Sequence, residues 1–261
     1  MKDQTRKFLG LAIVLAASVN ITRADITLFQ ESFEGTNLVQ WIGKSGSPHQ
    51  GQLVADPLNP ANHVLSFSGV NVSGDMFTPA PVNFSRPRQY VLSFDFLGSF
   101  NPGIENGGFI GVSAAPVGDD SIQSWIGGTF PGALTAPPSV ATTLVADGQW
   151  HHYEIDITAA LDELDLAQAY LMLEDWSQFG SVPGDAFFDN IKVVGVYDIS
   201  PILAQVPCEG PSPGKKWKNH GQYVSTVSKV VDTYLAADII AEAEAQQIMD
   251  LAGSSNCGKK K

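Results

Sequence analysis

The sequence predicts a mainly β protein: a two-sheet antiparallel sandwich followed by a small C-terminal α-helical hairpin. Three observations carry this. Seven or more short segments between Asp25 and Asp198 place apolar residues at every second position. Gly and Pro are plentiful, at 25 and 16 of 261 residues, and only 16% of residues are charged. That balance favours many turns over long helices. Past Ser200 the apolar spacing changes to the period of a helix.

The segments follow in order. ITLFQESFEG opens the series, then HVLSFSG, QYVLSFDFLGSF and GGFIGVSAA. WHHYEIDIT, AYLMLEDW and AFFDNIKVVGV complete it. In each, one set of alternate side chains is apolar and enters a core, and the other set meets water. PLNPAN, FNPGIENGG and FPGALTAPP lie between them and supply turn residues. AALDELDLAQ (159–168) reads as a turn or a short helical crossover. A hydrophobic content of 44% is enough to bury a sizeable core.

The first 24 residues have a different character. Lys2, Arg6 and Lys7 precede an apolar run from Phe8 to Val19, and small residues follow. This is the pattern of a secretory signal peptide, 1–24, and the run is too short to span a bilayer. No later stretch is long and apolar enough to be an integral membrane segment. The whole chain has a formal charge of −12, and without residues 1–24 it falls to −15. Such a surface repels nucleic acid and suits neutral ligands or cations. The two cysteines, Cys208 and Cys257, both lie in the exported part, where a disulfide persists.

Pro201, Pro207, Pro211 and Pro213 mark a linker at 199–207 and a rigid entry to the next unit. Residues 208–258 then read as a disulfide-closed helical module. Tyr223, Val227, Val230 and Tyr234 form one apolar stripe, widened by Val224, Val231 and Leu235. A second helix is expected over about 241–252, with Gly253 as its stop. Two such helices bury little alone, and a bond closing a loop of about 50 residues contributes roughly 4 kcal/mol. Lys259 to Lys261 form a basic tail.

Three groups of residues invite a chemical reading. In HHYEIDIT, the residues His152, Glu154, Asp156 and Thr158 share one strand face. This resembles the catalytic strand of laminarinase-like glycoside hydrolases, where a third carboxylate completes the site. Here Thr158 and Ala159 stand in its place, so the pattern is incomplete. Next, Glu31 and Asp189 each sit among residues that want the core, and a buried carboxylate needs a partner. Should the first and last strands come together, the two acids would share a structural Ca²⁺. Finally, Trp125 and Trp176 lie in loop-like contexts and are candidate platforms for a sugar ring. Asp175, Gln178 and Asp120 are the candidate partners for its hydroxyls.

The opening SFEG, the strand YVLSFDF, the segment DGQWHHYEIDIT and the closing FFDNIKV occur in an order that resembles a known family. It is that of the jelly-roll, galactose-binding-like carbohydrate-binding modules of secreted bacterial proteins. The likeness covers residues 25–198. It implies a non-catalytic binder of glycan or another cell-surface polymer, with Ca²⁺ beside the first and last strands. CEGPSPGKKWKNHGQYVSTV with the closing SNCG resembles a cysteine-bracketed helical module of exported bacterial proteins, of unassigned function. A docking or assembly role, with a protein as partner, is the expectation for the hairpin. Trp217 reads as its anchor, and His220 as a residue of the helix start or a metal ligand. Two alternatives stay open: a β-sandwich glycoside hydrolase or lyase using Glu154 and Asp156 with an acid from elsewhere in the chain, and a surface-matrix protein without a ligand.

Overall fold

The computed structural model describes residues 23–67, 74–86, 88–99, 106–118, 121–177 and 185–259. Most of the expected signal peptide, together with Asp120 and Gln178, lies outside them. In chain order the strands begin with β1 (Arg23–Glu31), β2 (Ile42–Gly43), β3 (Gln52–Ala55), β4 (His63–Ser66) and β5 (Gly74–Phe77). Then come β6 (Val82–Asn83), β7 (Gln89–Ser99), β8 (Asn106–Ser113), β9 (Gln123–Gly128) and β10 (Thr142–Thr143). β11 (His151–Asp156), the helix α1 (Thr158–Glu163), β12 (Gln168–Ser177) and β13 (Asp185–Asp198) complete the sandwich. Three helices follow: α2 (Ser200–Gln205), α3 (His220–Ala236) and α4 (Glu242–Ser254).

Among the described residues the strands form two sheets. The six-stranded sheet runs β11-β7-β13-β4-β3, with β1 also paired to β13. The seven-stranded sheet runs β10-β9-β8-β12-β5-β2, with β6 on β12. This is the expected jelly-roll sandwich with one difference: the short β10 lies parallel to β9, not antiparallel. The period-two pattern maps onto burial. Along β7, Tyr90, Leu92, Phe94 and Phe96 are buried, while Val91, Ser93 and Asp95 alternate with them. Phe188 of β13 packs against Phe67, Phe94 and Phe96, with ring centroids 6.4, 6.1 and 5.1 Å away. Each of these buried rings contributes on the order of 2 kcal/mol.

The helical end departs from the sequence reading in two places. The expected linker contains α2, whose Ile202 is buried, as is Val206 just after it. Pro201 is tolerated because the first turn of a helix has no acceptor for its N–H anyway. The second helix also continues through Gly253 to Ser254, so Gly253 is not its stop. The real chain reversal is after α3. There Asp238 takes the left-handed conformation (φ 55°), and the N–H groups of Asp238 and Ile239 return to the carbonyls of Leu235 and Tyr234. That is the double return bond of a Schellman cap, made with Asp rather than Gly.

The helices are not a detached appendage. Tyr223, Val227, Val231 and Ile248 share one core with Ala24 of β1 and Tyr197 of β13. Arg88 lies across Gly195, where a Cβ would stand 2.5 Å from Arg88 Cδ. Its Nη1 then meets Glu244 Oε1 of α4 at 2.6 Å, with both side chains essentially sealed from water. No helix of the described residues is long and apolar enough to cross a membrane.

Candidate ligand-binding face

Strand alternation builds the outer face of the seven-stranded sheet. Leu171 and Leu173 of β12 enter the sandwich core, as do Ile110 and Val112 of β8. Their neighbours therefore turn outward. Register aligns three outward rows. Gln123, Ser113 and Tyr170 form the first; Trp125, Gly111, Met172 and Phe77 form the second. Phe109, Glu174 and Asp75 form the third. Phe77, Phe109 and Met172 are buried and make an apolar floor. Gly111 is needed within it, because a Cβ there would come within 2.3 Å of the Ser124 carbonyl oxygen.

Trp125 stands half-buried on this floor. Its ring meets Phe109 edge to face at 5.8 Å, which fixes its attitude. Its backbone is clamped by Thr135: the Trp125 N–H donates to Thr135 Oγ1 at 2.7 Å, and the Thr135 N–H donates back to the Trp125 carbonyl. Lys44 closes the far edge, 3.3 Å from Asp75. The face thus offers an indole flanked by an amide, a phenol and a carboxylate.

The other candidates are distributed differently. Trp125 and Trp176 both belong to strands, not loops, and Trp176 pairs in register with Gly107. Asp175 is only 3% exposed. It shares the alternation of Leu171 and Leu173, so it belongs to the interior side of β12 and is not part of the outer face. Gln123, Tyr170, Glu174, Asp75 and Lys44 were not singled out from the sequence. The only signal for them is their parity with Trp125 or their register with it, and register is invisible before the strands pair.

The strands that carry the two candidate calcium acids are neighbours in the six-stranded sheet. β1 pairs with β13 antiparallel, and Glu31 lies opposite Ile191, two residues from Asp189. Asp189 is 4% exposed. It accepts from Asn62 Nδ2 at 2.9 Å and from the Asn190 N–H at 2.7 Å. Burial pushes its carboxyl above the usual carboxylate range; the two hydrogen bonds oppose this, while the carboxylates of Asp95 and Glu34 add to it. Glu31 Oε1 accepts from the N–H of Phe33, which holds a left-handed turn (φ 55°). Among the described residues, no three of His, Cys, Asp or Glu converge as a metal-binding group.

Glu154 and Asp156 lie on the outer face of β11, at the edge of the six-stranded sheet. Asp156 accepts from the Thr158 N–H and hydroxyl and from Gln89 Nε2. Partial burial raises its carboxyl, but these hydrogen bonds outweigh that and hold it low. It therefore secures the start of α1, and Thr158 in turn accepts from the Tyr90 N–H. A carboxyl held low is the opposite of what a general acid requires. His151 and His152 diverge, one to Asp147 and the other to Asp95. In the helical module Cys208 and Cys257 are bonded. His220 places Nδ1 2.7 Å from the Cys257 carbonyl and Nε2 3.0 Å from that of Gly253, so the ring sits between the helix start and the closing segment.

No family model matches the chain, and no curated protein matches it. Among solved structures it is similar to the CBM22-1 xylan-binding domain of Paenibacillus barcinonensis Xyn10C. The identity is 13%, the match covers 66% of this chain and 96% of that one, and the TM-score is 0.39. It is also similar to a family 11 carbohydrate-binding module from Clostridium thermocellum, solved with a β-1,3-1,4-mixed-linked tetrasaccharide. Here the identity is 14%, the cover 65% and 95%, and the TM-score 0.39. A third is the mannan-recognising module TmCBM27, at 9% identity, 66% and 98% cover and a TM-score of 0.35.

Proposed function

We propose that the protein is a secreted, non-catalytic binder of glycan or a related surface polymer, and that the outer face of the seven-stranded sheet holds the ligand. The observation that carries this is the half-buried Trp125, its ring held by Phe109 and its backbone by Thr135, with Gln123, Tyr170 and Glu174 on the same sheet face. The apolar face of a pyranose stacks on such a ring while amide, phenol and carboxylate reach its hydroxyls. The bonded cysteines support export, because disulfides persist in oxidising compartments.

The test is a glycan array followed by calorimetry on the positives. Trp125→Ala is expected to weaken binding about 30-fold, or about 2 kcal/mol, as loss of a central aromatic anchor does. Trp125→Phe should retain part of the affinity. An array that stays blank for the wild type would leave the structural-matrix reading. Turnover of β-glucans abolished by Glu154→Gln with Asp156→Asn would establish a hydrolase instead.

Calcium at the Glu31 and Asp189 rim is the structural half of the proposal. What supports it is a buried carboxylate whose electrostatic neighbours, Asp95 and Glu34, are also carboxylates. Glu31 and nearby backbone carbonyls would complete an oxygen shell, with Asn62 holding Asp189 in place through its amide N–H. Chelator is then expected to lower the melting temperature. The sign for the metal-free protein follows from linkage. The folded state holds the Asp189 proton more tightly than the unfolded chain, so stability falls as pH rises through the raised folded value. Asp189→Asn removes that penalty. In chelator it should melt at or above the wild type, and with calcium it should show no gain. A wild-type melt that ignores both calcium and chelator would sink this half.

A further inference from the structure

We infer that the tip of the helical module is a docking surface for a carboxylate-bearing polysaccharide, separate from the Trp125 face. The chain segregates its charge. Residues 25–198 contain four cationic side chains, Lys44, Arg86, Arg88 and Lys192, against 20 acids. Residues 199–261 contain seven lysines against six acids. Four of those lysines, Lys215, Lys216, Lys218 and Lys259, are exposed at one end of the module.

The fold gathers and fixes them. Lys216, Lys218 and Lys259 line a hollow of about 640 Å³ around the disulfide. An adjoining hollow of about 420 Å³ continues it along Lys215 and Pro213. The Cys208–Cys257 bond staples the two segments that carry these lysines. Trp217 Nε1 donates to the Pro207 carbonyl at 3.0 Å, and His220 bridges to Cys257 and Gly253. Among the described residues lining the two hollows, Glu209 is the one carboxylate. None of the four ammonium groups enters an ion pair among the described residues.

The chemistry selects the occupant. Trp217 is buried, so the tip displays no ring on which a neutral sugar could stack. Lysines are compact, mobile point charges that suit a repeating anion more than one fixed carboxylate. A second copy of this chain is the competing occupant, because the sandwich presents exposed carboxylates at Glu154, Asp162, Glu163 and Asp165, and sedimentation distinguishes it.

The experiment uses the full exported chain with polygalacturonate in chelator-containing buffer. Retardation in affinity gels is expected at about 50 mM salt and a steep loss at about 200 mM. The variant K215E/K216E/K218E/K259E should bind at least tenfold more weakly, with an unchanged melt and no free thiol. The milder K216Q/K259Q should lose part of the affinity and guards against a folding artefact. Trp125→Ala should bind polygalacturonate as the wild type does, which separates this site from the sheet face. Three results would overturn the inference: no wild-type binding at low salt, equal binding by the charge-reversed variant, or self-association in sedimentation as the property that variant loses.

Discussion

Glu244→Ala is expected to destabilise the protein by about 3–5 kcal/mol, the usual penalty for leaving one buried charge alone. Arg88 is the charge left behind. Its side chain is 2% exposed, its Nη1 has Glu244 as partner, and its Nε and Nη2 have no hydrogen-bond partner among the described residues. Glu244 also accepts from the Ala241 N–H at 2.7 Å, so α4 loses its starting bond as well. Against a typical total stability of about 5–15 kcal/mol, the effect is large. Urea titrations followed by helix signal and by tryptophan fluorescence would check it. The double variant Arg88→Met with Glu244→Leu should recover most of the loss, because matched apolar groups remove both desolvation penalties together. A Glu244→Ala midpoint within about 1 kcal/mol of wild type would mean that water or a shifted side chain compensates Arg88. The helices would then be held by their apolar contacts with Ala24 and Tyr197, the hydrogen bonds of Gln247 to the Asp25 backbone and the Arg86–Asp238 ion pair.

This pair also marks the limit of what the chain discloses. Arg88 and Glu244 are separated by 156 positions, and neither has a local pattern that names the other. The same holds for Asp95, which joins His152 and Asn190 from two neighbouring strands. What was legible is local. Alternation exposes β7 and β11, and the 3.6-residue stripe locates α3. The first and last strands do pair, but the carboxylates that act on Asp189 are Asp95 and Glu34, not the expected Glu31. What was illegible is short or contrary to propensity. β2, β6 and β10 have two residues each, too few for any period to show. Pro201 and Gly253 read as breaks, yet one sits in the first turn of α2 and the other in the last turns of α4. Asp175 reads as an exposed partner for a sugar because a carboxylate near the end of a strand is the ordinary exposed case. Its burial is set by the register of β12 against β8, which continues through Asp175, Trp176 and Ser177.

Replacing Cys208 and Cys257 together by Ser is expected to cost about 4 kcal/mol, on the chain-entropy model for a 49-residue separation. The loss should fall mainly on the helical module. The module's own core is small, built on Trp217, Tyr223, Val227, Val231 and Ile248. The sandwich has a separate and much larger cluster centred on Phe94, Phe96 and Phe188. Heating the variant should therefore give an early loss of helical signal, followed by a later sheet transition. The seam joining the two units works against a complete separation. Ala24, Tyr197 and the Arg88–Glu244 pair keep α4 seated, and opening it exposes that seam. The second transition should accordingly also move down, by less than the first. Binding discriminates further: freed from its staple, the lysine tip should lose polygalacturonate while the Trp125 face keeps its neutral glycan. A single cooperative melt at the wild-type temperature would show that His220, bridging to the carbonyls of Cys257 and Gly253, closes the module without the sulfur bond.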